Sequence, residues 1–329
     1  MDRTTALPAI LPPVNSPVVS ALAPVVFLIA VGYLAGWRNW IGGSAVKELS
    51  NLIFLLLAPA LLFRSMSTVH VEQLSLKPVA AYFLAAGLIY AATLALRGFN
   101  RTAAVLALAN TYSNSVMIGI PLIELAYGAP GLVVQLTLVS LHSLILLTSA
   151  TIVLELAAAR EDAAAGRPGQ RHIAATVGIA LRNAIIHPVV LPVIAGLAFA
   201  QTGWTVPPLI DKPLALLGHA FSPIALVLVG ITLATTPVGA HLVGAMVQAM
   251  VKNVAHPLGV LAIGWLLGVR GLPLAVMVVA AALPIGANVF MFAQRYRVAE
   301  ELVTASVVVS TVLALVTVSL TMAVVAFLL

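Results

Sequence analysis

The sequence predicts an all-α integral membrane protein with ten transmembrane helices. They form two inverted five-helix repeats, with helices four and nine broken and crossed. Three observations lead there. The 329-residue chain is 62% hydrophobic and only 8% charged, with a mean hydropathy of +1.12, whereas a soluble domain carries about 25% charged residues. Its apolar residues fall into ten runs, each near the roughly 20 residues that cross a bilayer as helix. Landmarks of the first half also recur, in order, in the second.

Taken in order, spans are expected near residues 17–37, 45–63, 77–96, 102–127, 131–157, 173–200, 207–235, 241–268, 272–297 and 300–328. The first, Pro17 to Trp37, is too long for a signal-peptide core and reads as a retained span. The connector between spans five and six, within "AAAREDAAAGRPGQRH" (Ala157 to His172), is polar and bears Gly and Pro. It divides the chain into a first repeat (1–157), a connector (158–172) and a second repeat (173–329).

Pro24 and Gly36-Trp37 of span one line up with Pro192 and Gly203-Trp204 of span six. Pro59 of span two meets Pro223 of span seven, Arg97-Gly98 meets Arg270-Gly271, and Asn114 meets Asn288. Taking second-half minus first-half positions, the offsets run from 164 (223 − 59) to 174 (288 − 114), the drift that short loop insertions produce. Five spans per repeat make the halves enter from opposite sides. Of the 16 Lys and Arg, 11 fall on connectors after odd-numbered spans. The positive-inside rule therefore puts those connectors in the cytoplasm and both termini outside, in the cell's inner (plasma) membrane.

The net charge of +6 comes from basic residues scattered singly between apolar runs, a topology signal and not a nucleic-acid patch. Cysteine is absent, which removes disulfides, thiolate metal ligands and thiol nucleophiles. The chain has no His-Glu-x-x-His pattern, and its Asp residues are Asp2, Asp162 and Asp211 alone, so neither a zinc nor a paired-aspartate intramembrane enzyme is expected. No cofactor is expected.

Span four carries "SNSVMIGIPL" (Ser113 to Leu122) near its centre, and span nine carries "LPIGANVFM" (Leu283 to Met291). Pro121 and Pro284 each lack an N–H, and Gly119 and Gly286 sit beside them, so both helices are expected to break there. In span four the first half should end near Thr111 and the second begin near Gly119. Unwound backbone at membrane depth survives only where protein or a water-filled cavity surrounds it. Two such breaks at matched positions of inverted halves point to a transporter's substrate site. Each helix N-terminus offers free N–H groups and about half a positive charge, so the two second halves together can balance one carboxylate. The opposite helix ends suit a cation equally. With no Asp or Glu inside either break, and with Asn114, Asn288, Ser113 and Ser115 as donors, an anion fits better.

These residues carry a resemblance. "NSVMIGIPLIELAYG" (Asn114 to Gly128) resembles the Asn-x-x-x-x-Gly-Ile-Pro-Leu element of the auxin efflux carrier family, and "PIGANVFMFAQRY" (Pro284 to Tyr296) is similar to that family's second-half counterpart. The family spans plant auxin carriers and bacterial malonate and other organic-acid permeases, and the resemblance covers all ten segments. It implies an elevator-type carrier with spans one, two, six and seven as scaffold and spans three to five and eight to ten as transport domain. It also implies that Asn114 and Asn288 contact the substrate while Pro121 and Pro284 shape the crossing. Ser115 stands where members often have Gly.

Other polar residues have two readings each. His142, mid-span, relays protons or contacts the anion, or is a neutral His bonded to a neighbouring helix. Asn110, one turn before Asn114, extends the site or bonds across an interface. His187, His219 and His256 read as interfacial, Lys252 as snorkelling towards the cytoplasm, and Arg64 and Glu72 as outer-loop charges. The partners expected are a small organic anion, the bilayer and a second copy docked through the scaffold. A sodium-coupled carrier resembling the bile-acid symporter family is the alternative, and a channel is the other class that the sequence leaves open.

Overall fold

The structure is a computed structural model that describes residues 17–69, 75–166, 188–236 and 241–328, with isolated positions 178, 179, 182 and 239. Among the described residues the fold is all-helical, and its β pairing is one isolated antiparallel bridge between Ser113 and Ile285. We number the helices α1 (Pro17–Trp37), α2 (Gly43–Leu52), α3 (Ala58–Met66), α4 (Leu76–Arg97), α5 (Arg101–Ala109), α6 (Ile120–Ala164), α7 (Val190–Ala200), α8 (Pro208–Thr235), α9 (Leu242–Met250), α10 (His256–Leu266), α11 (Gly271–Ala282), α12 (Asn288–Tyr296) and α13 (Glu300–Leu328). Among the described residues, six helical stretches are long and apolar enough to cross a membrane, and three shorter apolar helices accompany them. The longest stretch, Ser115–Ala164, turns at Gly128, whose φ of 63° and ψ of −159° no helix accommodates. The first part of expected span six, His187, Glu72 and the connector residues from 167 to 172 lie outside the described residues.

Among the described residues, three π-helical turns punctuate the helices: Ile53–Leu57, Ser115–Gly119 and Val251–Ala255. Each runs directly into a helix with a proline in its first two positions, Pro59, Pro121 and Pro257. Proline has no N–H to give and its ring crowds the carbonyl four residues back. Widening the preceding turn relieves that crowding without ending the helix.

The helices pack as an inside-out solvent would require. Phe27, Leu88, Leu96, Leu266 and Phe327 stay exposed to lipid, where burial against protein gains little because lipid tails are as apolar as they are. All four tryptophans, Trp37, Trp40, Trp204 and Trp265, are exposed at or near helix ends, the placement of an interfacial aromatic belt. Arg38 lies over the Trp37 ring and Arg270 over that of Trp265.

Two glycines let α1 and α8 touch backbone to backbone. A Cβ at Gly32 would overlap the Val227 carbonyl, and one at Gly230 the Ile29 carbonyl. α3 packs against α7 and α8, and α4 against α10. One apolar cluster joins α4, α5, α6 and α10 to α13 with the inner faces of α1 and α8. A second joins α3, α7 and α8 to Ile120, Leu132 and Leu136 of α6.

Two expectations are corrected. α6 continues to Ala164, beyond the expected end of span five at 157, because Glu161 reaches the start of α5 and accepts from both the backbone N–H and the side chain of Arg101. Lys252 has no exposure and so does not snorkel. It also leaves the charge count, which becomes ten basic residues against five on the two sets of connectors.

Candidate functional site

The two breaks meet. α5 begins with Asn100, whose side chain accepts from Ala103 N at 2.8 Å, and stops at Ala109. α11 stops at Ala282, where Leu283 turns extended before Pro284. Between these ends the backbones pair in antiparallel fashion: Asn114 N donates to Pro284 O at 2.8 Å, and Gly286 N donates to Tyr112 O at 3.0 Å. Each break thus supplies the hydrogen-bond partner that the other lacks, which makes unwound chain tolerable at this depth.

Gly286 permits the approach, since a Cβ there would fall 2.7 Å from the Tyr112 ring. Gly119 plays the same part on the other side, with Gln135 Nε2 and Leu283 Cδ1 each 2.7 Å from where a Cβ would be. Gln135 is fully buried and donates to Ser115 O at 2.9 Å, tying the π turn to the next pass of α6. Pro121 stands in the first turn of α6.

A cavity of about 740 Å³ opens at this junction. From the breaks it is lined by Ser113, Asn114, Ser115, Gly286 and Asn288, from α6 by His142 and Ser143, and across from them by Ser50, Asn51, Thr232 and Thr235 of α2 and α8. Among the described residues, no Asp, Glu, Lys or Arg lines it. Asn114 and Asn288 are both half-buried. Asn288 opens α12, and its Nδ2 donates to Tyr112 Oη at 3.0 Å. Tyr112 Oη also shares a 2.8 Å hydrogen bond with Ser143 Oγ.

His142 is buried, and both of its sequence readings have a physical basis here. Its Nε2 lies 3.1 Å from Tyr82 Oη, on α4, and 3.4 Å from Ser113 N. Its ring also borders the cavity and tilts over Tyr112, centroids 4.5 Å apart. Tyr82 Oη completes the set with a 2.7 Å hydrogen bond to Ser113 Oγ.

The remaining candidates are placed as follows. Asn110 is buried, with Nδ2 donating to Thr93 Oγ1 at 3.1 Å, and neither it nor Gly119 lines the cavity. Pro284 supports the crossing through its carbonyl. His219 is exposed. His256, expected at an interface, is instead fully buried, because the π turn before Pro257 swings it inward against Tyr82, ring centroids 4.9 Å apart. Sequence reasoning missed Tyr82, Gln135 and Ser143, which lie on unbroken helices, and Tyr112, which lies in the first break itself; none carries a local signature.

A second cavity, of about 690 Å³, lies at the other end of α6's first arm and is lined by Arg64, Glu124, Asp211 and His219 among others. There Arg64 forms a two-pronged ion pair with Asp211, Nε to Oδ1 at 2.7 Å and Nη2 to Oδ2 at 3.2 Å. Ser222 Oγ of α8 donates to Glu124 Oε2 of α6 at 2.8 Å. Between the cavities lies the apolar layer of Ile120, Leu132 and Leu136 against Leu57, Leu61, Phe221 and Ala225.

Residues 17–322 match the family described as "Membrane transport protein". A Rhizobium meliloti (strain 1021) protein named "Putative malonate transporter" is 31% identical over 307 residues, covering 90% of this chain and 92% of that one. With nearly all of its described helices inside the match, the chain belongs to this membrane transport family, the auxin efflux carriers that its two broken-helix motifs resemble.

Proposed function

We propose that this protein is a secondary transporter of a small organic anion, a carboxylate such as malonate, and that the anion sits in the cavity between Asn114 and Asn288. The observation that carries the reading is the paired break itself. Amide donors from both halves and the N-terminus of α12 converge on a cavity with no carboxylate among the described residues of its lining. Exposed N–H groups at a helix start, together with amide and hydroxyl donors, are what an anion needs for charge-assisted hydrogen bonds. The name of the Rhizobium meliloti relative supports a short dicarboxylate.

The proposal includes the ten-span plan of two inverted five-helix repeats, 1–157 and 173–329 about the connector 158–172. Spans one, two, six and seven form the scaffold, and spans three to five and eight to ten the moving domain. The close α1–α8 and α3–α7 packing supports a rigid scaffold. Two cavities on opposite sides of one apolar layer support alternating access of the elevator type. The cavity holding the asparagines is bordered by Val46, Ser50 and Thr236, residues near the connectors assigned to the cytoplasm, so this is an inward-facing arrangement. Both termini then face outward from a plasma membrane, and a second copy docks through the scaffold. His142 joins the site as an anion contact or proton relay.

Purified protein in proteoliposomes tests the reading. Saturable malonate counterflow that persists without sodium supports it. Non-saturating flux would identify a channel, and strict sodium dependence would favour a carrier of the bile-acid symporter kind.

A further inference from the structure

Among the described residues the cavity has no cation in its lining, yet a fully buried amine lies just behind the crossing. Lys252 sits in the π turn Val251–Ala255, and its Nζ donates to Ala281 O at 2.6 Å and to Leu283 O at 2.7 Å. Those carbonyls are the end of α11 and the residue just past it, groups that a helix C-terminus leaves without intrahelical partners and with about half a negative charge. Both contacts have the short length of charge-assisted hydrogen bonds. The titratable side chains around it are His256 from α10, His142 from α6 and Tyr82 from α4. Among the described residues no carboxylate pairs with it.

Part of the shell is satisfied from α13, while Asn253 Oδ1 and both ring nitrogens of His256 are buried without a hydrogen-bond partner among the described residues. Ile285 N donates to Ser310 Oγ at 3.1 Å, and Asn253 Nδ2 donates to Ser310 O at 2.8 Å. Unwound carbonyls at a half-helix C-terminus are the chemistry by which cation-coupled carriers hold a monovalent ion. Here a side chain of the protein already occupies that position.

We propose that Lys252 is a tethered cation: its ammonium stands where a free monovalent ion would be coordinated, so that the crossing assembles and the anion binds without sodium or potassium. The proposal deepens the transport reading, because the same charge favours a carboxylate across a low-dielectric interior. Its main test needs no substrate.

The full-length protein is melted in choline chloride while sodium, potassium or n-propylammonium replaces choline at constant ionic strength. Wild type should be indifferent to all of them. Lys252→Ala should melt lower and recover saturably with n-propylammonium, which restores the deleted carbons and amine. In proteoliposomes its malonate counterflow should fall about tenfold or more, as for an uncompensated buried hydrogen-bonding group, and be restored by the same amine. Should Lys252→Ala not fold, Lys252→Met, which keeps most of the stem volume, takes its place and should melt below wild type. A wild-type melting temperature that rises saturably with sodium or potassium overturns the proposal. So does a Lys252→Ala protein that is unaffected, or one whose loss no cation restores. If malonate proves not to be carried while the melting results hold, the transport reading fails and the tethered cation stands.

Discussion

Asn288 Nδ2 donates to Tyr112 Oη across 3.0 Å, although 176 residues of sequence separate them. That contact engages one of the two Nδ2 hydrogens of Asn288 and leaves the other to donate, while among the described residues the Asn114 side chain has no hydrogen bond to give up. The two amides are therefore not equivalent at the start of binding.

Asn114→Ala should weaken malonate binding sharply and leave folding intact. Losing a hydrogen bond to a charged group costs about 1.5–3 kcal/mol, or roughly tenfold to more than a hundredfold in affinity. Isothermal titration with the variant is the measurement, and near-normal affinity would sink the site assignment.

Tyr112→Phe removes the hydroxyl that holds both Asn288 and Ser143. Affinity should weaken by less than for Asn114→Ala, because the ring remains while one amide loses its orientation. A Tyr112→Phe protein that binds no malonate at all would mean that the hydroxyl itself contacts the substrate.

Gly286→Ala sets a methyl group 2.7 Å from the Tyr112 ring, with the Ser113 carbonyl at 3.1 Å. Overpacking of this kind costs about 1–3 kcal/mol. The melting temperature should drop and binding should weaken with it. Gly87→Ala, where nothing lies within 4 Å of the new methyl, serves as the neutral control.

Gly32→Val should unseat α1 from α8, since backbone carbonyls cannot yield as side-chain tips do. Its loss of stability should exceed that of Gly286→Ala. Limited proteolysis alongside thermal melting would reveal it, and wild-type behaviour would refute the close approach.

Ser222→Ala deletes the hydrogen bond from α8 to Glu124 on α6, which on the elevator reading links the fixed and moving parts. It should release the inward-facing state. The chain contains no cysteine, so a single Cys at Ser50, in the cavity with the asparagines, reports directly. Its labelling by a membrane-impermeant thiol reagent from the inner side should fall in the Ser222→Ala background. Unchanged labelling would show that the bond carries no conformational bias.

The breaks were legible because proline, glycine and asparagine act locally: Pro121 and Pro284 disturb their own turns whatever surrounds them. Helix extents were legible where a run of apolar residues ended at Trp or Arg. What could not be read was phase. Lys252 and His256 lie on a segment that is apolar nearly all round, and a π turn rotates everything after it by a fraction of a turn, so no periodicity in the sequence says which way they face. Tyr82, Gln135 and Ser143 were invisible for a related reason. They serve the site from intact helices, and only the packing of α4 and α6 against the breaks brings them there.

The bridge between Ser113 and Ile285 also sets an order of events during synthesis. Until Pro284 and Gly286 have been made, the Asn114 N–H and the Tyr112 carbonyl lack the partners they have in the folded chain. The first break is thus provisional on its own, and a chain that stops short of Pro284 carries bare polar backbone where the folded protein has a paired bridge.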